Sequence, residues 1–427
     1  MQMQNARDPY KTSRVMYVIE AALEYFVALL VTGAYLARVT ASLGFSDSLT
    51  GILQSFASLG CLFQLGAITL FRKTKNVKQP IILYHLVNQA LFALVYVSPV
   101  LPLTQEMKTV VFVVCFVIAY VLSNVVQPPK TAWLMGLVDD RKRGIFTSIK
   151  EITSLLGGMT FTFVMGLAFD AMDAAGNTRG AFVLGGAVLF VLTILNAVSL
   201  MPVKQKPQET AQQTGSIREL MRNRNFRRVV IVFVLWYAAT YASTPFFGSY
   251  QIKELGFSMT FISVLSMIHS ILRASASPLL GKFADRHSFS KMVTVCFMFG
   301  AVSFFVNMFT VPENGSVMYT LYYCILAFAM AGTNSAMTNM IYEYVDERNR
   351  SSALAINWAV AGTAGFLVTC LMSPVVALIQ HNGNMLFGVT MYPAQFVSGV
   401  AFVITAVLIA YVYHAFIRVK KAHDAAA

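Results

Sequence analysis

The chain has 427 residues, of which 57% are hydrophobic, 13% aromatic and only 12% charged. Soluble chains carry roughly 25% charged residues and could not cover their surface with so few, so the main solvent of this chain is lipid. The net charge of +13 sits in the loops between apolar runs, which argues against a nucleic-acid partner and makes the charge a signal of topology.

A hydrocarbon core of about 30 Å takes about 20 apolar residues at ~1.5 Å rise each. At least eleven runs meet that requirement and a twelfth is expected. In chain order the spans are 15–43, 48–71, 80–101, 107–138, 145–170 and 180–202. After a hydrophilic stretch they continue as 228–254, 259–281, 291–311, 316–344, 351–380 and 394–417. The first run is too long for a cleavable signal peptide and contains Glu20 and Glu24, so it reads as the first spanning helix. The expected fold class is an all-α integral membrane protein of twelve transmembrane helices.

Lys and Arg fix the expected orientation. One side carries Arg7, Lys11, Arg14, Arg72, Lys73, Lys75, Lys78, Arg141, Lys142 and Arg143. The central loop adds Lys204, Lys206, Arg218, Arg222, Arg224, Arg227 and Arg228, and the same side continues with Lys282, Arg286, Lys291, Arg348, Arg350, Arg418, Lys420 and Lys421. The other side has Lys108, Arg179 and Lys253. Both termini are therefore expected in the cytoplasm. Arg38 and Lys253, near the outer ends of spans 1 and 7, are expected to extend their charged heads to the interface.

The longest hydrophilic stretch, 203–227, divides the chain into a six-helix half 1–202, a central cytoplasmic loop, and a second half 228–427. Within that loop Ser216 and Glu219 have the spacing of a capping box. It opens a short interfacial helix with Ile217, Leu220 and Met221 towards lipid and Arg218 and Arg222 towards water. The five cysteines, Cys61, Cys115, Cys296, Cys324 and Cys370, lie inside apolar runs at long, irregular spacings. They read as small buried residues, without a zinc or disulfide framework.

The halves share local sequence in register. Leu43-Gly44-Phe45-Ser46 follows span 1 and Leu255-Gly256-Phe257-Ser258 follows span 7. Leu65-Gly66 ends span 2 and Leu280-Gly281 ends span 8. Val138-Asp139-Asp140-Arg141-Lys142-Arg143 follows span 4, and Val345-Asp346-Glu347-Arg348-Asn349-Arg350 follows span 10. Two parallel six-helix repeats can enclose a cavity near the midplane and open it to alternate sides by rocking.

At this point the chain resembles the major facilitator superfamily over nearly its whole length. The sharpest local sign is Gly281-Lys282-Phe283-Ala284-Asp285-Arg286-His287-Ser288-Phe289-Ser290-Lys291 between spans 8 and 9. It is similar to that family's Gly-x-x-x-Asp-Arg-x-Gly-Arg-Arg loop, with Ser288 in place of the second glycine. The matching loop after span 2, Gly66 to Lys73, has no acidic residue. Span 5, with Ser154-Leu155-Leu156-Gly157-Gly158, lacks the Gly-Pro-x-x-Gly-Gly signature of many drug–proton antiporters. The resemblance implies two six-helix pseudo-repeats and a conformational latch at Gly281, Asp285 and Arg286. It also implies a cavity lined by spans 1, 4, 7 and 10.

Charges within hydrocarbon are costly, roughly 2.5–3.5 kcal/mol each, and should face a cavity or one another. Glu20 and Glu24 lie at i, i+4 on one face of span 1. They read either as a proton-coupling site or substrate-cation contact, or as charges near the cytoplasmic end paired with neighbouring bases. Glu20 is expected nearer the water. Lys130 follows Pro128-Pro129 inside span 4 at a depth similar to Glu24, which permits an ion pair or a shared substrate. On span 8, Arg273 either binds an anionic group with His269 tuning protonation or makes a helix–helix contact. Asn124, Gln127, Asn334, Asn339, Tyr237, Tyr241 and Tyr250 are at cavity depth. They suit a hydroxyl-rich or amphipathic solute, or else serve as interhelical hydrogen bonds and, for Tyr250, the aromatic belt.

No nucleotide loop, metal-ligand cluster or nucleophile motif is present, so neither an enzyme nor ATP drive is expected, and no cofactor or metal. The sequence reads as a secondary transporter of a small solute in the plasma membrane, acting as a monomer, with protons as one candidate coupling ion. Drug- or lipid-like efflux and a transporter-like solute receptor are the alternatives.

Overall fold

The computed structural model describes residues 8–71, 76–139, 142–205, 217–346, 350–386 and 388–418. Arg7, Arg72, Lys73, Lys75, Asp140, Arg141, Lys206, Ser216, Glu347, Arg348, Asn349, Lys420 and Lys421 lie outside the described residues, as do the side chains of Cys61, Gly66, Arg143, Arg218 and Glu219. In chain order come α1 (Lys11–Leu30), α2 (Gly33–Ser42), α3 (Asp47–Phe71), α4 (Lys78–Val97), α5 (Gln105–Met135), α6 (Arg143–Ala174) and α7 (Thr178–Leu200). They are followed by α8 (Ile217–Arg222), α9 (Arg224–Ser249), α10 (Met259–Arg286), α11 (Phe289–Asn307), α12 (Gly315–Tyr344), α13 (Arg350–His381) and α14 (Pro393–Val412).

Ten helical stretches are long and apolar enough to cross a membrane, and the α1–α2 pair makes an eleventh. These ten or eleven spans are counted among the described residues; α3, with 25 residues, is about 37 Å long at ~1.5 Å per residue and stands where the second span is expected. Large apolar side chains such as Leu83, Val114, Leu156, Leu279 and Leu371 are exposed along these helices. Large apolar side chains exposed along helix after helix are what lipid-facing helices present. A two-stranded antiparallel hairpin, Met385–Leu386 with Val389–Thr390, precedes α14 and departs from the all-helical expectation.

By internal contact the chain divides into two units, residues 1–43 with 63–211 and residues 44–62 with 212–427.

In the first unit the sequence suggests one continuous first helix, and the structure breaks it. The axis bends by 44° between α1 and α2, and Gly33 takes a left-handed φ of +56° that other residues resist. Thr32 Oγ1 donates to the Ala28 carbonyl at 2.8 Å. The Tyr120 hydroxyl donates to the Val31 carbonyl at 3.3 Å, satisfying a group the break exposes. Arg38 makes a bidentate pair with Asp173, in the last turn of α6, at 2.7 and 2.9 Å and lies over the Phe169 and Phe182 rings. A core of Tyr17, Ile81, Val126, Trp133, Leu134 and Leu200 joins α1, α4, α5 and α7.

In the second unit Leu220 of α8 is buried with Phe226, Phe233 and Trp236 of α9, so the short helix turns Leu220 into protein and not, as expected, towards lipid. Lys253 pairs with Asp47 at 2.5 Å, and Gln380 Nε2 donates to the other Asp47 oxygen at 2.5 Å. Tyr250 is buried and donates to the Thr310 carbonyl at 2.9 Å, a core position and not the aromatic belt. The repeated Leu-Gly-Phe-Ser tetrapeptides make the same turn. Gly44 and Gly256 have φ of +74° and +63°, and Ser46 and Ser258 each accept the amide three residues on at 3.1 Å.

Candidate functional site

Two helices of the first unit bring charge together, and a third closes on them. One turn of α1 places Glu20 and Glu24 on the same face. In α5, Pro128 and Pro129 lack the amide protons that would bond the carbonyls of Asn124 and Val125, yet the helix runs on to Met135. Lys130 follows directly, and its ammonium lies 2.7 Å from Glu20 Oε1 and 2.7 Å from Glu24 Oε2. Glycines 157 and 158 of α6 let that helix close onto α1 beside the carboxylates. A Cβ on Gly157 would meet Phe26 at 2.7 Å, and one on Gly158 would meet Tyr25 at 2.5 Å.

Burial reverses the expected order of the two acids. Glu20 is 1% exposed and Lys130 2%, whereas the Glu24 side chain is 26% exposed. Glu24 is the more open end of the cluster and Glu20 its closed end.

α4 adds His85, which is not among the residues the sequence singles out. Its Nε2 lies 3.8 Å from Glu20 Oε1 and 2.9 Å from Gln89 Nε2, one turn further along. From α7, Asn196 Nδ2 donates to the Glu20 backbone carbonyl at 3.4 Å. Several buried polar atoms on these helices have no hydrogen-bond partner among the described residues: Glu20 Oε2, Gln89 Oε1 and Asn88 Nδ2. A buried polar group without a partner costs about 1–3 kcal/mol, so such atoms call for a reason beyond packing. Tyr17 is buried below the acids, with Lys150 Nζ 5.3 Å from its ring centre.

The electrostatics reduce to a count. Glu20, Glu24 and Lys130 sum to one net negative charge, with His85 beside them and the Lys150 ammonium of α6 acting on both acids from further off. One added proton, on Glu20 or on His85, makes these four groups neutral, Lys150 aside. Gln89 can follow either state. With its amide donating, His85 Nε2 is an acceptor; turned over, the bare Gln89 Oε1 accepts from a protonated Nε2. Donor atoms of Glu20, Glu24 and His85 lie within 4.8 Å of one another, close enough to ligate a metal ion, but the Lys130 ammonium holds the cationic position between the two carboxylates.

The remaining first-unit candidates lie on the same α5. Asn124 accepts from Gln64 at 3.3 Å and donates to the Tyr120 carbonyl at 2.9 Å. Gln127 is half-buried.

The second unit holds the others separately. Tyr237 and Tyr241 of α9 stack at 5.5 Å, with Trp358 of α13 edge-on to Tyr237 at 5.8 Å. His269 Nδ1 is 3.0 Å from the Tyr323 carbonyl, its ring against that tyrosine. Arg273, one turn on, is exposed and enters none of the hydrogen bonds or ion pairs found among the described residues. Asn334 is exposed, and Asn339 donates to the Ser335 carbonyl at 2.9 Å. Asn357 of α13, absent from the sequence candidates, is fully buried with both side-chain polar atoms unpartnered among the described residues. Around the expected latch, Gly281 has open space at its Cβ position, and Asp285 and Arg286 are exposed near the end of α10.

Asn196 escapes a reading of the sequence because it is a lone polar residue in an apolar run, whereas His85, Asn88 and Gln89 at i, i+3 and i+4 form a polar stripe on α4 that the sequence already carries. The signal that could find them is the same that finds Glu24: an ionisable or amide side chain within a membrane span is costly unless it has a partner.

The family model of the Major Facilitator Superfamily matches residues 17–369. No curated protein matches the chain. Several solved structures share the fold. A variant of the nucleoside transporter NupG superposes with a TM-score of 0.71 at 16% identity, over 95% of this chain and 100% of that one. A D-xylose-proton symporter gives 0.69 at 16% identity, over 94% and 97%. A bacterial homolog to the human lysosomal transporter Spinster gives 0.67 at 14% identity, over 95% and 97%.

Proposed function

The chain belongs to the Major Facilitator Superfamily and is a multi-pass membrane transporter, and on that premise we propose that it carries a small solute by secondary active transport coupled to protons. The observation that carries the proposal is two carboxylates facing one ammonium in a site nearly closed to water. A buried net charge is unfavourable, and a single proton removes it.

Glu24, the more open acid, is the natural exchange point with an aqueous cavity. Glu20 and His85, both buried, hold the proton away from water. Lys130 keeps one carboxylate ionised whichever acid is protonated. A substrate group that draws Lys130 or Glu24 away changes the proton affinity of what remains, and this is the coupling: the two ligands act on one set of charges. Alternating access between the halves 1–202 and 228–427, joined by the loop 203–227, supplies the transport step. The excess of Lys and Arg on one side supports cytoplasmic termini, and we place the protein in the plasma membrane as a monomer.

The solute class is a small polar or amphipathic molecule. The stacked Tyr237 and Tyr241 and the exposed Arg273 supply ring faces and a cation for its recognition. A thermal-shift screen of purified protein against sugars, organic anions, amino acids and nucleosides identifies it. Flux of the best ligand into proteoliposomes under an imposed pH gradient then tests the coupling. Accumulation that tracks the gradient supports the proposal, and flux indifferent to the gradient refutes it.

A further inference from the structure

A groove of about 640 Å³ runs along the outside of the first unit between α1 and α7, away from the charge cluster. Met16, Ile19 and Leu23 form one wall, Leu195 and Val198 the other, and Met201 and Pro202 lie at its end. The volume is within the range of about 300–1,000 Å³ that bound small molecules occupy. Ile19, Leu195, Val198 and Met201 are exposed large apolar side chains at membrane depth. The hydroxyl in the lining, Ser199, is satisfied by the Asn196 carbonyl of its own helix at 2.7 Å. The groove therefore offers nothing to a polar ligand along its length.

Its end is different. Lys78 Nζ donates to the carbonyl of Met201 at 2.6 Å, which fixes an ammonium beside the groove and leaves it two further protons to donate. Lys204 is exposed two residues beyond Pro202, with its backbone amide held by Ser13 Oγ at 3.1 Å. Asp8, just before α1, is engaged with Arg14, whose guanidinium holds the Asp8 carboxyl below its usual range. Among the described residues neither Lys78 nor Lys204 enters an ion pair with an acid, which leaves both open to an outside anion.

We propose that this groove is a binding site for one anionic phospholipid, with an acyl chain between α1 and α7 and the headgroup phosphate at Lys78 and Lys204. The apolar length and the cationic end together match an amphiphile with one negative head, and basic residues at a span end attract anionic lipid. The proposal is independent of the proton site.

Native mass spectrometry of the delipidated full-length protein tests it, titrated with phosphatidylglycerol or with phosphatidylcholine of the same acyl chains. The wild type is expected to retain one phosphatidylglycerol with about fivefold higher occupancy than phosphatidylcholine, the preference one well-placed lysine supplies. Val198→Trp, which fills the groove from its lipid side, is expected to lower occupancy by both lipids. Lys204→Glu is expected to abolish the preference while phosphatidylcholine still binds. Equal retention of the two lipids by the wild type overturns the proposal without recourse to any variant. So does Val198→Trp protein that binds both lipids as the wild type does.

Discussion

Lys130 donates to Glu20 at 2.7 Å with both side chains almost wholly shielded from solvent, and the same ammonium holds Glu24 at the same distance. One cation therefore serves two anions, and removing different members of the trio has opposite consequences.

Lys130→Met leaves two buried carboxylates facing each other. Breaking a buried pair in this way costs about 3–5 kcal/mol. The variant is expected to be strongly destabilised in a thermal-unfolding assay in detergent.

Glu20→Gln removes the surplus negative charge and keeps the shape, leaving Glu24 and Lys130 as a balanced pair. Stability is expected within about 1 kcal/mol of the wild type, because the lost attraction is offset by the removal of a buried, half-satisfied carboxylate. A loss as large as that of Lys130→Met in the same assay would mean that Glu20 is a structural partner and not a proton carrier.

Exchanging the charges tests the pairing itself. Lys130→Glu alone gathers three acids and is expected to abolish transport. Adding Glu24→Lys restores two acids and one base. Recovery of measurable solute flux in the double variant is expected, and no recovery would show that the positions are not interchangeable parts of one cluster.

α6 must approach α1 closely for the acids to sit where they do. Gly158→Leu forces a branched side chain into Tyr25, whose ring already lies 2.5 Å from where a Cβ would be. Overpacking of this kind costs about 1–3 kcal/mol. The expected result is a lowered unfolding temperature and reduced flux, partly relieved by Tyr25→Ala.

Arg38 stabilises the other end of the first unit. It meets Asp173 through two parallel bonds and lies over two phenylalanine rings, so Lys is a poor replacement. The Asp173 side chain is 38% exposed, and solvent screening limits the effect of Arg38→Lys to about 1 kcal/mol. A shift in unfolding temperature with no change in the pH dependence of transport is expected.

The fold is clear in the sequence because hydrocarbon thickness dictates helix length and leaves few alternatives. The repeated turn is equally legible, since Gly44 and Gly256 stand where a left-handed residue is needed and their serines cap α3 and α10. The break at Thr32-Gly33 is not legible: an apolar run continues across it, and the group that satisfies it comes from Tyr120, far along the chain. Glu24 and Lys130 can be matched by depth alone, because both are charges in apolar runs. His85 cannot be joined to them without knowing which face of α4 turns to α1. The order of burial is misjudged for a related reason. Distance from the helix end makes Glu20 look wetter, whereas the packing of α4, α5 and α7 around it closes it off.

The most direct test of the central claim compares wild-type and Glu20→Gln protein in proteoliposomes, using the solute that the thermal-shift screen identifies. With a pH gradient imposed, the wild type is expected to accumulate solute against its concentration gradient. Glu20→Gln is expected to lose accumulation while still exchanging internal for external solute. Gradient-driven accumulation by Glu20→Gln equal to that of the wild type would contradict the account.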